Sequence, residues 1–88
     1  MTAKKIAELI EQISEELVIA RLGHKPDCWY TGGSEHNDYR LFARTEHRDR
    51  IVVSDSCGGS EIVAVSDLPD TVAIRAYVVE WLGTLFVE

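Results

Sequence analysis

Cysteine, proline, long apolar runs and positive charge are all scarce in this chain, and each scarcity removes a class of protein. Two cysteines, Cys28 and Cys57, are too few for the disulfide framework of a small secreted domain. Both are expected as thiols in a reducing cytoplasm. No stretch approaches the roughly 20 apolar residues that span a bilayer. Lys4 and Lys5 imitate the start of a secretory signal, but Glu8 and Glu11 interrupt what would have to be its apolar region. A cytoplasmic location, with no membrane contact, is the expectation. Nine basic residues face fifteen acidic ones, for a formal charge of −6. Such a balance favours solubility and works against a sequence-independent hold on nucleic acid, which depends on neutralising phosphates with Lys and Arg.

What remains is enough for one domain. At 88 residues and 45% hydrophobic content, residues 1–88 are expected to build a single core without help from a metal or a disulfide. The charge is unevenly spread. Segment 40–50 holds Arg40, Arg44, Arg48 and Arg50 against Glu46 and Asp49, a local +2, which leaves −8 for the rest.

Residues 3–22 read as an amphipathic helix. Ile6, Leu9, Ile10, Ile13, Leu17 and Ala20 recur at spacings of three and four and form an apolar stripe. Thr2 is placed to cap its start and Gly23 to end it. Glu8, Glu11, Glu15 and Glu16 project on the opposite side, and Ile19 falls among them as an apolar exception. Pro26 then directs the chain into extended backbone.

Four short strands follow by pattern. Residues 28–31 are aromatic and β-prone, and 39–45 alternate, with Tyr39, Leu41 and Ala43 on one face and Arg40, Phe42 and Arg44 on the other. Residues 50–54 and 61–65 complete the set, separated by the glycine-rich turn 55–60. The segment Ser66-Asp67-Leu68-Pro69-Asp70 carries the signals of a helix start. The helix that follows runs to about Leu82, or through Gly83 to Phe86 as helix 69–86, and is apolar nearly all round, which predicts burial on several sides. Its β-branched residues Val72, Ile74, Val78 and Val79 make a strand the competing reading. The fold class is therefore α+β, in the order α-β-β-β-β-α: a four-stranded antiparallel sheet with an N-terminal and a C-terminal helix packed on one face. Arg40, Phe42 and Arg44 would look out from the other.

Motifs that carry chemistry are weak. His24, Cys28, His36, His47 and Cys57 are the possible metal ligands, yet only His24 and Cys28 share a usable local spacing. The paired short spacings of structural zinc sites are missing. Three histidines could serve Cys57 as a base, but nucleophilic work also needs a cleft and an oxyanion site, for which so small a domain has little volume. The turn Gly58-Gly59-Ser60 leads into a strand, whereas phosphate loops open a helix. Trp29, Tyr30, Tyr39 and Phe42 lie among arginines, as in platforms that stack single-stranded bases. The more ordinary use of Arg40 and Arg44 is to pair across strands with Glu61 or Asp55. Glu8, Glu11 and Glu15 place like charges close together along one helix, a small cost that a basic partner would relieve.

In size, acidity and want of a catalytic motif, the chain resembles the small inhibitor proteins made by phages, including anti-CRISPR proteins. The resemblance is one of composition and carries over no residue. It implies a host cytoplasm as the place of action and a nucleic-acid-handling enzyme or complex as the partner. The expected function is thus a non-enzymatic protein-binding module without cofactor or bound metal. Its expected contact residues are Glu8, Glu11, Glu15 and Glu16, or the strand face of Arg40, Phe42 and Arg44. A structural subunit or homodimer joined through helix 69–86 is the alternative reading, and a small zinc-binding domain a second one.

Overall fold

A computed structural model describes residues 1–23, 41–55 and 58–85 of the chain. Helix α1, Ala3–Leu22, begins and ends where its flanking residues dictate. Thr2 is extended, and its Oγ1 accepts from the Lys5 N–H at 3.2 Å. Such a cap is worth about 1 kcal/mol. At the other end Gly23 adopts the left-handed conformation, φ +82°, and donates its N–H to the Ile19 carbonyl at 2.8 Å. A side chain at Gly23 would be strained there.

Three antiparallel strands follow: β1, Leu41–His47, β2, Arg50–Asp55, and β3, Ser60–Ala64, in the spatial order β1-β2-β3. The expected strand over 28–31 lies outside the described residues, so the described sheet has three strands where four were expected. The class is α+β as anticipated. Val65, assigned by pattern to the last strand, instead opens a short 3-10 turn, Val65–Asp67, which leads to α2, Thr71–Leu85. The α2 cap is Asp70, one residue after the proline. Its Oδ1 accepts from the Ala73 N–H at 2.8 Å, and its carbonyl from the Ile74 N–H at 3.1 Å.

Register explains which sheet face is buried. Leu41 is opposite Asp55 and Ala43 opposite Val53; Ile51 is opposite Val63, and Val53 opposite Glu61. These positions share one face, and Leu41, Ile51, Val53 and Val63 form the sheet's half of the core. From the helices come Ile6, Ile10, Ile13 and Val18 of α1 and Ile74, Val78 and Leu82 of α2, with Leu68 closing one end. Full burial of such a side chain contributes roughly 1.5–3 kcal/mol.

Two expectations about the helices need correction. On α1 the buried stripe is turned away from Ala20, which is exposed, toward Ala3, Ala7, Ser14 and Val18, all buried. Small residues on that side let the helix approach β1 closely. Among the described residues of α2 the buried row is Ile74, Val78 and Leu82, flanked by half-buried Ala73, Tyr77 and Trp81. Val72 is 79% exposed and Val79 49% exposed, because a three-stranded layer and one neighbouring helix cover only one side of α2. No helix among the described residues is long and apolar enough to cross a membrane.

Candidate functional site

The four acidic residues of α1 do not form one free surface. Glu8 and Glu16 are exposed, whereas Glu11 and Glu15 are half-buried. Glu11 is turned toward the sheet, and its Oε2 accepts from the Ala43 N–H at 2.9 Å. One turn later Ser14, fully buried, accepts from the Leu41 N–H at 2.8 Å. The two side chains thus occupy the outward donors at the start of β1. Glu16 lies on the other flank, 4.0 Å from Arg75 of α2. An exposed pair at that distance contributes little.

On the sheet face turned away from the helices the register places Phe42 beside Ser54 and Arg44 beside Val52, with Ile62 opposite Val52 on the far side. Phe42 is half-buried, Arg44 exposed and Ile62 58% exposed. Arg40 lies outside the described residues. Glu61 and Asp55 belong to the opposite, helix-packed face, so the expected cross-strand pairing of Arg44 with either acid is not made. At the β1–β2 hairpin tip, the Asp49 Oδ1 lies 2.7 Å from His47 Nδ1 and 3.8 Å from Arg50 Nε. The hydrogen bond with His47 chiefly holds the Asp49 carboxyl below its usual range.

The feature that pattern reading did not assemble is a groove between β3 and α2. It has a volume of about 530 Å³ and is bounded by Glu61, Ile62 and Val63 of the strand and by Ala73, Ala76, Tyr77 and Glu80 of the helix, with Asp67 and Leu68 at one end. A contiguous recess adds Trp81. Two aromatic side chains tie helix to sheet here. The Tyr77 hydroxyl donates to Glu61 Oε1, and Trp81 Nε1 donates to Asp55 Oδ2 at 2.8 Å. Their rings meet edge to face, with centroids 5.9 Å apart. Burial, reinforced by the Glu61 hydrogen bond and charge, raises the Tyr77 pKa well above the ordinary tyrosine range. A sequence signal existed in part: Tyr77, Glu80 and Trp81 stand at i, i+3 and i+4 on one helix side.

Chemically this groove offers carboxylates, an aromatic edge and small aliphatic positions. Its lining includes no Lys, Arg, His or Cys. The neighbouring glycine turn is also closed by an acid, since Asp55 Oδ1 accepts from the Gly59 N–H at 2.8 Å, where a phosphate loop would leave that donor free. Among the described residues, no three or more His, Cys, Asp and Glu side chains are grouped to hold a metal ion. His24, Cys28, His36 and Cys57, the other ligands considered, lie outside those residues. No family model, curated protein or solved structure matches this chain.

Proposed function

We propose that the chain is a non-enzymatic protein-binding module that docks an acidic surface on a basic partner. One observation carries the reading. The groove between β3 and α2 gathers Glu61, Asp67 and Glu80 around aliphatic and aromatic side chains, and its lining includes no cation. Unbalanced charge beside apolar surface suits recognition, because opposite charge steers the encounter while apolar contact holds it. Glu8 of α1 adds a further exposed carboxylate, whereas Glu11 is committed to β1 and Glu16 lies beside Arg75. The most specific form of the proposal takes a nucleic-acid-handling enzyme as partner, its basic groove filled by carboxylates in place of phosphates.

The test is affinity capture from the native host, with mass spectrometry, using the intact chain and an Asp67→Lys/Glu80→Lys variant. Both positions are exposed, so the fold should survive. A basic protein retained by the parent, released by moderate salt and lost by the variant is the expected result. Equal capture by both chains would rule out this surface.

A second reading rests on a separate observation, the exposed Val72 and Val79 of α2. They support self-association through that helix. Light scattering that returns a monomer at high protein concentration would remove it.

A further inference from the structure

The two edges of the sheet are finished differently, and the difference selects a binding mode. At β1 the outward donors of Leu41 and Ala43 are occupied by Ser14 and Glu11, at 2.8 and 2.9 Å. At β3, the Asp55 N–H bonds the Gly59 carbonyl at 2.9 Å and the Val65 N–H bonds the Asp49 carbonyl at 2.9 Å. These two bonds fix the phase of the ladder. Residues 61 and 63 direct their backbone groups to β2, and those of Ser60, Ile62 and Ala64 point away from the sheet. Among the described residues, no strand pairs with that outer edge.

We propose that the outer edge of β3 receives an extended basic peptide from a partner as an added strand, laid in the groove beside α2. This rests on the acidic-docking reading and specifies how the partner is engaged. Space is the first argument. A neighbouring strand runs about 4.8 Å away, and the groove of about 530 Å³ lies along Ile62, with alanines 73 and 76 in its lining. Alternation is the second. A residue placed opposite Ile62 would lie on the sheet face turned away from the helices, beside that 58% exposed side chain, and should be apolar. Its two neighbours would turn toward α2, where Glu61 and Glu80 stand, and should be Lys or Arg. Charge is the third. A second copy of this chain would bring the same carboxylates against themselves, so self-pairing along β3 is disfavoured.

The test uses synthetic nonapeptides with Lys or Arg at alternate positions and an apolar residue varied between them. Their controls have the same composition with cations and apolar residues in separate blocks, or proline at the central apolar position. Binding is followed by calorimetry, and backbone exchange by NMR. An alternating peptide should bind roughly tenfold more tightly than its blocked isomer and its proline version, a difference of about 1.4 kcal/mol. It should also slow exchange of the Ile62 amide and lose affinity to Glu80→Lys. If all three peptides bind alike and the Ile62 amide is unaffected, strand addition is wrong while acidic docking stands. If no basic peptide binds, strand addition is again overturned, and docking on a folded basic surface is decided by the capture experiment.

Discussion

Ser14 and Leu41, 27 residues apart, are joined by a fully buried hydrogen bond in which the Leu41 N–H donates to Ser14 Oγ at 2.8 Å. The bond ties the middle of α1 to the first residue of β1. It also supplies an acceptor for a backbone donor of β1 that points away from β2. Ser14→Ala would leave the Leu41 amide without a partner in a dry environment. The expected cost is about 1–3 kcal/mol, the desolvation penalty of one buried polar group. Urea unfolding monitored by circular dichroism should show a lower midpoint with an unchanged slope. A loss below about 0.3 kcal/mol would mean that water replaces the hydroxyl.

Glu11 separates a structural carboxylate from a docking one. Its Oε2 accepts from the Ala43 N–H at 2.9 Å, a task that the carbonyl of glutamine also performs. Glu11→Gln, which keeps the acceptor, is therefore expected to lose less stability than Glu11→Ala, which should lose about 1 kcal/mol or more. Equal losses in the two variants would show that charge, and not acceptance, is what the position needs. Partner capture by Glu11→Gln should stay near that of the parent, because the side chain faces the sheet.

These two residues also show where sequence reading stops. Spacing of three and four placed Ile6, Ile10 and Ile13 in the core, and the capping residues Thr2 and Gly23 fixed the ends of α1. Such signals are local. Glu11 reads as part of an acidic surface stripe and Ser14 carries no signal of its own, and only the arrival of β1, from far along the chain, turns them inward. Ala3, Ala7 and Ser14 fall outside the stripe that spacing marked out, and their burial follows from the same approach. Arg44 is the converse case: alternation put it on the open face, but pairing it with Glu61 required a register that the sequence does not state. The groove was legible only in pieces, since its strand and helix halves meet through the Tyr77–Glu61 and Trp81–Asp55 hydrogen bonds.

Gly59 is expected to be intolerant of any side chain. A Cβ built there would lie 2.4 Å from Asp55 Oδ2 and 3.1 Å from Asp55 Cγ. The Asp55 side chain cannot swing aside cheaply, because its two oxygens accept from the Gly59 N–H and from Trp81 Nε1, both at 2.8 Å. Gly59→Ala should thus break the tie between the β2–β3 turn and α2, at about 1–3 kcal/mol. Asp55→Asn retains one acceptor and is predicted to fall between the parent and Gly59→Ala. Thermal unfolding of both variants checks the order, and an unaltered melting temperature for Gly59→Ala would contradict it.

Tyr77 makes stability depend on alkaline pH. Burial and the Glu61 carboxylate keep its phenol neutral well beyond the ordinary range, while a tyrosine in the unfolded chain ionises near pH 10. The folded-state pKa is the higher of the two, so the contribution is intact below about pH 10. It is lost as the pH rises further, because the unfolded chain then releases a proton that the folded chain retains. Tyr77→Phe removes this linkage together with the hydrogen bond to Glu61. The variant is predicted to be less stable at neutral pH but to lose less of its remaining stability between about pH 9 and pH 11. Urea midpoints across that interval provide the comparison. Parallel pH profiles for parent and variant would show that Tyr77 ionises as readily folded as unfolded, and that Glu61 stands free to meet a cation.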